Sequence, residues 1–277
     1  MTKAKREMEQ DLKLLDLIIE LLDARAPLSS LNPDIGKMTR GRGRLIILNK
    51  TDLADEEATK KWLKIFRDKG LIAIALDART RKDFRPIKDA VNEACKEKLE
   101  RNRAKGIINR PLRAMVAGIP NVGKSTFINT FMRKSAAKTG NKPGVTRGKQ
   151  WIRLSKELEL LDTPGILVPK IRDEVTGFHL AALGTLNDNN LNLEELSLRL
   201  VSSIKGYGSA NLSSFGINKD TPDEEILFTA AKARNILKKQ GEPDTERASA
   251  LILNEFRSGK LGRITLDDPD RADLEVI

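Results

Sequence analysis

The chain of 277 residues has one cysteine, one histidine, one tyrosine and two tryptophans. The lone cysteine, Cys95, excludes a disulfide framework within the chain and suits a reducing compartment. It lies in the helical pattern DAVNEACKEKLE and reads as a small buried apolar residue, not a nucleophile. The lone histidine, His179, lies in VTGFHLAAL and reads as a helix-face or packing residue, with a catalytic part as the lesser alternative. No apolar run approaches the roughly 20 residues of a membrane span. The start, MTKAKREMEQ, lacks the apolar core of a signal peptide. A cytoplasmic protein with no membrane partner is expected. No internal repeat and no low-complexity segment is found.

One further absence is local. Residues 101–150 contain twelve Lys and Arg but no Asp or Glu. Over the whole chain 50 Lys and Arg face 39 Asp and Glu, a formal net charge of +11. Residues 1–170 carry 37 against 21, and residues 171–277 carry 13 against 18. The excess favours an anionic partner, nucleic acid first, and is larger than one nucleotide requires. No DNA partner is expected. The acidic balance of the tail fits RNA attraction poorly, although Lys232, Arg234, Lys238 and Lys239, then Arg257, Lys260 and Arg263, form local basic clusters.

Apolar runs order the chain. After a charged helix over 3–15, the run at 15–23 fits a buried strand, though periodicity alone does not separate it from a helix. Further strands are predicted at 45–48, 71–76 and 112–118, then a pair in KQWIRLS and ELELLD. Helices are predicted from Asp55 to about Lys69, stopped by Gly70, and from about Pro86 to Arg103. Strands alternating with helices imply a doubly wound α/β domain over 1–170, with one hairpin in an otherwise parallel sheet. Residues 171–277 read as a smaller, all-α domain. Helical spacing occurs around 178–186, followed by the polar stretch NDNNLNLEE. A long helix is expected from Pro222 to Gly241, with acids at its start and Lys238 and Lys239 at its end. Another is expected to end near Gly259.

GIPNVGKS, at 118–125, fits G-x-x-x-x-G-K-[ST] after a strand and before a helix. Phosphates need many convergent donors. Gly118 and Gly123 let the backbone of Pro120, Asn121 and Val122 curve around the anion, and the helix start adds its positive dipole end. Lys124 is placed to neutralise the β- and γ-phosphates, Ser125 to bind Mg²⁺, and Thr126 to join the loop's nucleotide contacts. In LDTPG, Asp162 is a Mg²⁺ ligand and Gly165 a γ-phosphate contact. Between these motifs, Thr146 in KTGNKPGVTRG completes the Mg²⁺ shell, with Thr139 the weaker candidate. Lys124, Thr146 and Gly165 are the expected catalytic groups.

NKTD, at 49–52, follows a strand. Asn49 is suited to the guanine ring and to bracing the phosphate loop, and Lys50 lays its stem along the base. Asp52 accepts from two donors that adenine lacks, unless it merely caps the next helix. LDAR, at 76–79, is the supporting loop, with Asp77 beside the base and the Ala78 amide directed at the guanine carbonyl. The order base motif, support, phosphate loop, switches is that of a circular permutation, joined through the basic link at about 101–111. Permutation is tolerated where termini lie close together at a surface.

DARAPLSSLNP, LNKTDLAD, GIPNVGKSTFIN, KTGNKPGVT, LELLDTPGIL and FRSGKLGRIT, in this order, resemble the YlqF/RbgA family of circularly permuted ribosome-assembly GTPases over nearly the full length. The resemblance implies a Ras-like P-loop GTPase domain acting late in maturation of the bacterial large (50S) ribosomal subunit, with a C-terminal helical domain contacting rRNA. It carries the nucleotide roles to Asn49, Lys50, Asp52, Asn121, Lys124, Ser125, Thr146, Asp162 and Gly165. Asn121 is also the expected K⁺ ligand, supplying transition-state charge much as an arginine finger does. The partners implied are GTP, GDP and the large-subunit precursor with its rRNA, and a monomer is expected. The family usually opens with a W-F-P-G-H-M-like segment whose histidine aids hydrolysis, and these 277 residues have no counterpart. The residue after D-x-x-G is Ile166, which cannot orient water, so slow intrinsic turnover is expected. Competing readings are a switch signalling to a protein partner, an ATPase or kinase, and an RNA-binding module with an inactive site.

Overall fold

The structure is a computed structural model that describes residues 12–39, 41–80, 85–107, 110–130, 150–162 and 170–277. The side chains of Gln150, Asp162 and Val276 lie outside the described part. The charged helix predicted over 3–15 lies almost wholly outside it too.

Among the described residues, six strands form one sheet in the order β3-β2-β1-β4-β6-β5. They are β1 (Leu17–Asp23), β2 (Gly43–Asn49), β3 (Ile72–Ala75), β4 (Leu112–Gly118), β5 (Gln150–Arg153) and β6 (Leu158–Asp162). All pairings are parallel except that of β5 with β6. The expected single hairpin is therefore present. The helices of this part are α1 (Pro33–Met38), α2 (Glu56–Asp68), α3 (Arg85–Ala94) and α4 (Lys96–Ala104), then α5 over residues 124–130.

The ambiguous run at 15–23 is a strand because it lies between β2 and β4 and is buried along its whole length. Leu17, Ile19 and Leu21 face one core with Val91 and Phe127. Ile18 packs with Ile35, Met115 and Leu161 on the other face, where Leu22 meets Trp62 and Phe66. Burial on both faces is what a doubly wound sheet requires. Asp55 caps α2 by accepting from the Ala58 amide at 2.8 Å, and Gly70, at φ 75°, ends the turn beyond it.

The single helix expected over 86–103 is instead two, broken at Cys95. The apolar stripe of α3 ends there, and α4 buries no residue. The start of β2 presses into the break: a Cβ on Gly43 would stand 2.5 Å from the Ala94 carbonyl oxygen and 2.9 Å from Cys95 Sγ. Cys95 is buried, and burial, with the Asp16 charge, pushes its thiol up to about 12. That agrees with a packing role.

The helical part contains α6 (Glu174–Ala182), α7 (Leu193–Ile204), α8 (Ile226–Ala233) and α9 (Thr245–Ser258). Its core includes Leu200, Val201, Ile204, Phe215, Ile226 and Phe256. Helix α7 arises from the stretch read as merely polar. Asn192 caps it by accepting from Glu195 N–H, and Leu196, Leu200, Val201 and Ile204 form its buried stripe. The long helix expected from Pro222 to Gly241 is corrected: α8 ends at Ala233. Asn235 turns left-handed at φ 52° and the Ile236 amide closes on the Ala231 carbonyl at 2.8 Å. Lys238 and Lys239 then lie in a tight turn bounded by the Leu237–Pro243 bridge.

Residues 264–277, assigned by sequence to the helical part, return to the sheet. The Leu266 amide donates to Arg25 O at 2.6 Å, Trp62 Nε1 donates to Asp267 O at 3.0 Å, and Leu274 packs in the Trp62 core. His179 joins this seam. Its Nδ1 lies 2.7 Å from Asp267 Oδ1 and 2.9 Å from Ser29 Oγ, buried against both. It is a packing residue here.

Candidate nucleotide site

Parallel strands place their carboxyl ends on one edge of a sheet, and ligands of open α/β folds bind there. That edge carries Asp23 after β1, Asn49 after β2, the LDAR loop after β3 and Gly118 after β4. The end of β6, at Asp162, opens beside the last of these.

The phosphate loop needs its two glycines. Gly118 has φ 152°, and a Cβ there would stand 2.5 Å from the Leu21 carbonyl oxygen. Gly123 has φ 101°, and its Cβ would stand 2.5 Å from Asn49 Nδ2. Val122 is fully buried and pins the base of the loop in the core, while Pro120 is exposed. Asn121 takes the left-handed conformation at φ 60°. Lys124 Nζ donates to Gly118 O at 2.8 Å and to Ile119 O at 2.7 Å, so its charge sits inside the curve of the loop. Partial burial lowers its pKa. Ser125 and Thr126 are exposed at the start of α5, whose dipole end points into the same space.

Asn49 ties the base motif to this loop. Its Nδ2 donates to Val122 O at 2.7 Å, and its Oδ1 accepts from Ala78 N at 2.9 Å. The Ala78 amide, expected to face a guanine carbonyl, is thus committed to Asn49, and Ala78 is buried. Its role in this geometry is to brace Asn49. Asp52 is the informative residue. Its Oδ1 is buried and has no donor among the described residues. Its Oδ2 accepts from Arg79 Nη2, and Arg79 also grips Asp77 through Nε at 3.1 Å. A buried carboxylate oxygen without a donor carries a desolvation cost, which a ring N–H with an adjacent amino group would relieve. The NKTD aspartate is therefore ready to accept, and it does not cap α2, since Asp55 does that.

Two groups escaped sequence reasoning. Arg79 is the fourth residue of LDAR, and only the fold brings it to Asp52. The second is the pair Asp23 and Arg25 in DARAP. Asp23 accepts from Arg25 Nε at 2.9 Å and Nη2 at 2.8 Å, and from Lys50 Nζ at 2.9 Å. Burial pushes the Asp23 carboxyl up, but Arg25 and then Lys50 outweigh it and hold the group below the usual carboxylate range. Lys50, at φ 62°, is thus fixed from beneath. Thr146, Thr139, Gly165 and Ile166 lie outside the described residues, as does the side chain of Asp162.

Known proteins with this organisation are many. The family described as 50S ribosome-binding GTPase matches residues 113–227. Ribosome biogenesis GTPase A of Bacillus cereus is 43% identical over 278 residues, spanning 100% of this chain and 94% of the relative. The protein of that name from Thermotoga maritima is 32% identical over 270 residues, spanning 97% and 92%. The crystal structure of GNP-bound YlqF from T. maritima superposes with a TM-score of 0.68 at 29% identity, covering 97% of this chain and 99% of that one. Its GDP-bound structure gives 0.69 at 28% identity, covering 96% and 100%. With a phosphate loop, a guanine motif that precedes it in the chain, and full-length relatives, the chain belongs to the Ribosome biogenesis GTPase A (YlqF/RbgA) family, circularly permuted GTPases of ribosome assembly.

Proposed function

We propose that the protein binds the precursor of the large ribosomal subunit in its GTP state, late in assembly, and leaves after hydrolysis. The observation that carries the nucleotide reading is the buried, donorless Asp52 Oδ1, held across from a loop whose glycines leave room only for backbone. Asp52 selects guanine, and Lys50 lies against the base on its Asp23 support. The loop amides of 120–123 and the Lys124 ammonium bind the phosphates. Lys124 is already desolvated, which strengthens its attraction to developing phosphate charge.

A Mg²⁺ ion held here would supply positive charge to offset the phosphate charge. Ser125, Asp162 and Thr146 are its protein ligands in this reading. Ser125 fits, since its exposed position at the start of α5 is open to the phosphate side. K⁺ is the second cation of the reading, taken by Asn121. The Asn121 amide donates through Nδ2 to Gly184 O at 2.6 Å, which leaves Oδ1 for a cation. Gly165 contacts the γ-phosphate.

The basic part of the chain, residues 1–170, contacts rRNA, the acid-free stretch 101–150 more strongly than the tail. Its charges act by releasing counterions, so binding must weaken steeply with salt. Cosedimentation with purified large-subunit precursors, in a GTP analogue and in GDP, tests this. The expected result is retention with the analogue, lost with GDP, and a linear fall of log affinity with log salt. Equal retention with both nucleotides, or none at low salt, would contradict the proposal. A cytoplasmic monomer fits this role.

A further inference from the structure

A series of polar contacts runs around a cavity of about 520 Å³ between the nucleotide edge and the helical part, lined in part by Arg25, Lys50, Asn121, Gly184, Asp188 and Arg257. It starts at the guanine motif. Lys50 holds Asp23, and Asp23 holds Arg25. Arg25 Nη1 donates to the end of α9, at Arg257 O, 3.2 Å away. The Arg257 side chain then crosses to the end of α6. Its Nε donates to Ala182 O at 3.0 Å and its Nη2 to Ala181 O at 2.9 Å. Asp188 grips the same guanidinium at 2.6 and 2.8 Å. The turn that Arg257 caps ends in Gly184, whose carbonyl accepts from Asn121 of the phosphate loop.

Each link is specific. Helix α6 closes with the Gly184 amide on Ala181 O and the Thr185 amide on Leu180 O, and Gly184 is left-handed at φ 72°. Arg257 packs so closely that a Cβ on Gly184 would stand 3.0 Å from its Nε. The direction of the Gly184 carbonyl is therefore set by a turn that the guanidinium clamps. That carbonyl fixes the Asn121 side chain, because only the NH₂ end of an amide faces a carbonyl oxygen favourably. Asn121 is also a left-handed residue in the middle of the phosphate loop, so holding its side chain limits the aim of the loop amides beside it.

We propose that Arg257 is a positioning residue for GTP hydrolysis. It acts through the Ala181–Gly184 turn on Asn121, so that the helical part sets the geometry of the phosphate loop. Interactions of this kind govern the transition state more than ground-state binding, because small errors of aim at a charge-stabilising group cost rate steeply. The inference rests on the nucleotide site of the reading above and on no ribosomal partner, so a failure to bind subunits leaves it standing.

The test is single-turnover GTP hydrolysis by the full chain, with GDP affinity and thermal melting measured in parallel. The variants are Arg257→Lys, Arg257→Ala, Asn121→Ala and the double alanine variant. Arg257→Lys keeps the charge but loses the fork, and the expected result is a rate lowered at least threefold with GDP affinity changed less than twofold. The double variant should be no slower than Asn121→Ala alone, since both changes cut one path. Asp188→Asn, nearly isosteric, should give a smaller loss of the same kind and replaces Arg257→Ala should that variant melt early. A wild-type rate for Arg257→Lys or for Asn121→Ala, or a double variant slowed by the product of the single effects, would overturn the inference.

Discussion

Asp52→Ala lowers affinity for GTP by about a hundred- to ten-thousandfold and abolishes preference for guanine. Each hydrogen bond to a charged group contributes about 1.5–3 kcal/mol, and Asp52 has two guanine donors to receive. The relevant control is inosine triphosphate, which lacks the 2-amino group. The unmodified protein should bind GTP more tightly than the inosine nucleotide, and the Asp52→Ala protein should bind the two equally. Equilibrium titration with both nucleotides decides it. Retained preference in the variant would show that guanine is read elsewhere. The change should cost little stability, because Asp52 Oδ1 has no protein donor to lose and Arg79 keeps Asp77.

Asp23→Asn destabilises the fold by about 3–5 kcal/mol, the range for breaking a buried ion pair from one side. Asp23 and Arg25 are both almost wholly buried, at 1% and 2% side-chain exposure. The carboxylate accepts from the Arg25 amide, Nε and Nη2 and from Lys50 Nζ. An asparagine turns one of those acceptors into a donor facing a cation and leaves the positive charges uncompensated. The urea midpoint should fall with its slope unchanged. The pH dependence has a definite sign. The folded carboxyl is held below its ordinary value, so its stabilisation is complete above about pH 4 and declines as pH falls below that. The gap between wild type and Asp23→Asn should therefore be full at neutral pH and narrow in acid. A constant gap from pH 7 to pH 3 would contradict this assignment.

What could be read from the sequence was what local chemistry determines. The strand at 112–118 is an apolar run ended by the first loop glycine, and the structure has it over the same residues. The α2 boundaries follow from Asp55 and Gly70, whose conformations depend on their immediate neighbours. The phosphate and guanine motifs are short strings with one conformation each, so their roles came with their spelling. Helix α7 was legible in principle, from Asn192 and Glu195 as cap and partner and from Leu196, Leu200 and Ile204 beyond. The polar run in front of it hid that signal. The end of α8 was less accessible, because KARNILKKQG suits a helix until Ile236 finds the domain core. The Arg25 contacts with α9 join residues 231 and 232 apart in sequence, and no local pattern encodes them. The same holds for Arg79 on Asp52 and for Asn121 on Gly184. The sequence thus named the groups expected to touch nucleotide, while the groups that hold them in place needed the fold.

Turnover of this GTPase is proposed to be set by the particle it helps to build. Its most direct test is GTP hydrolysis in KCl and MgCl₂, with and without purified large ribosomal subunits. Slow hydrolysis by the protein alone and a large increase on adding subunits, reduced when salt is raised, are expected. The same rate with and without subunits would contradict it.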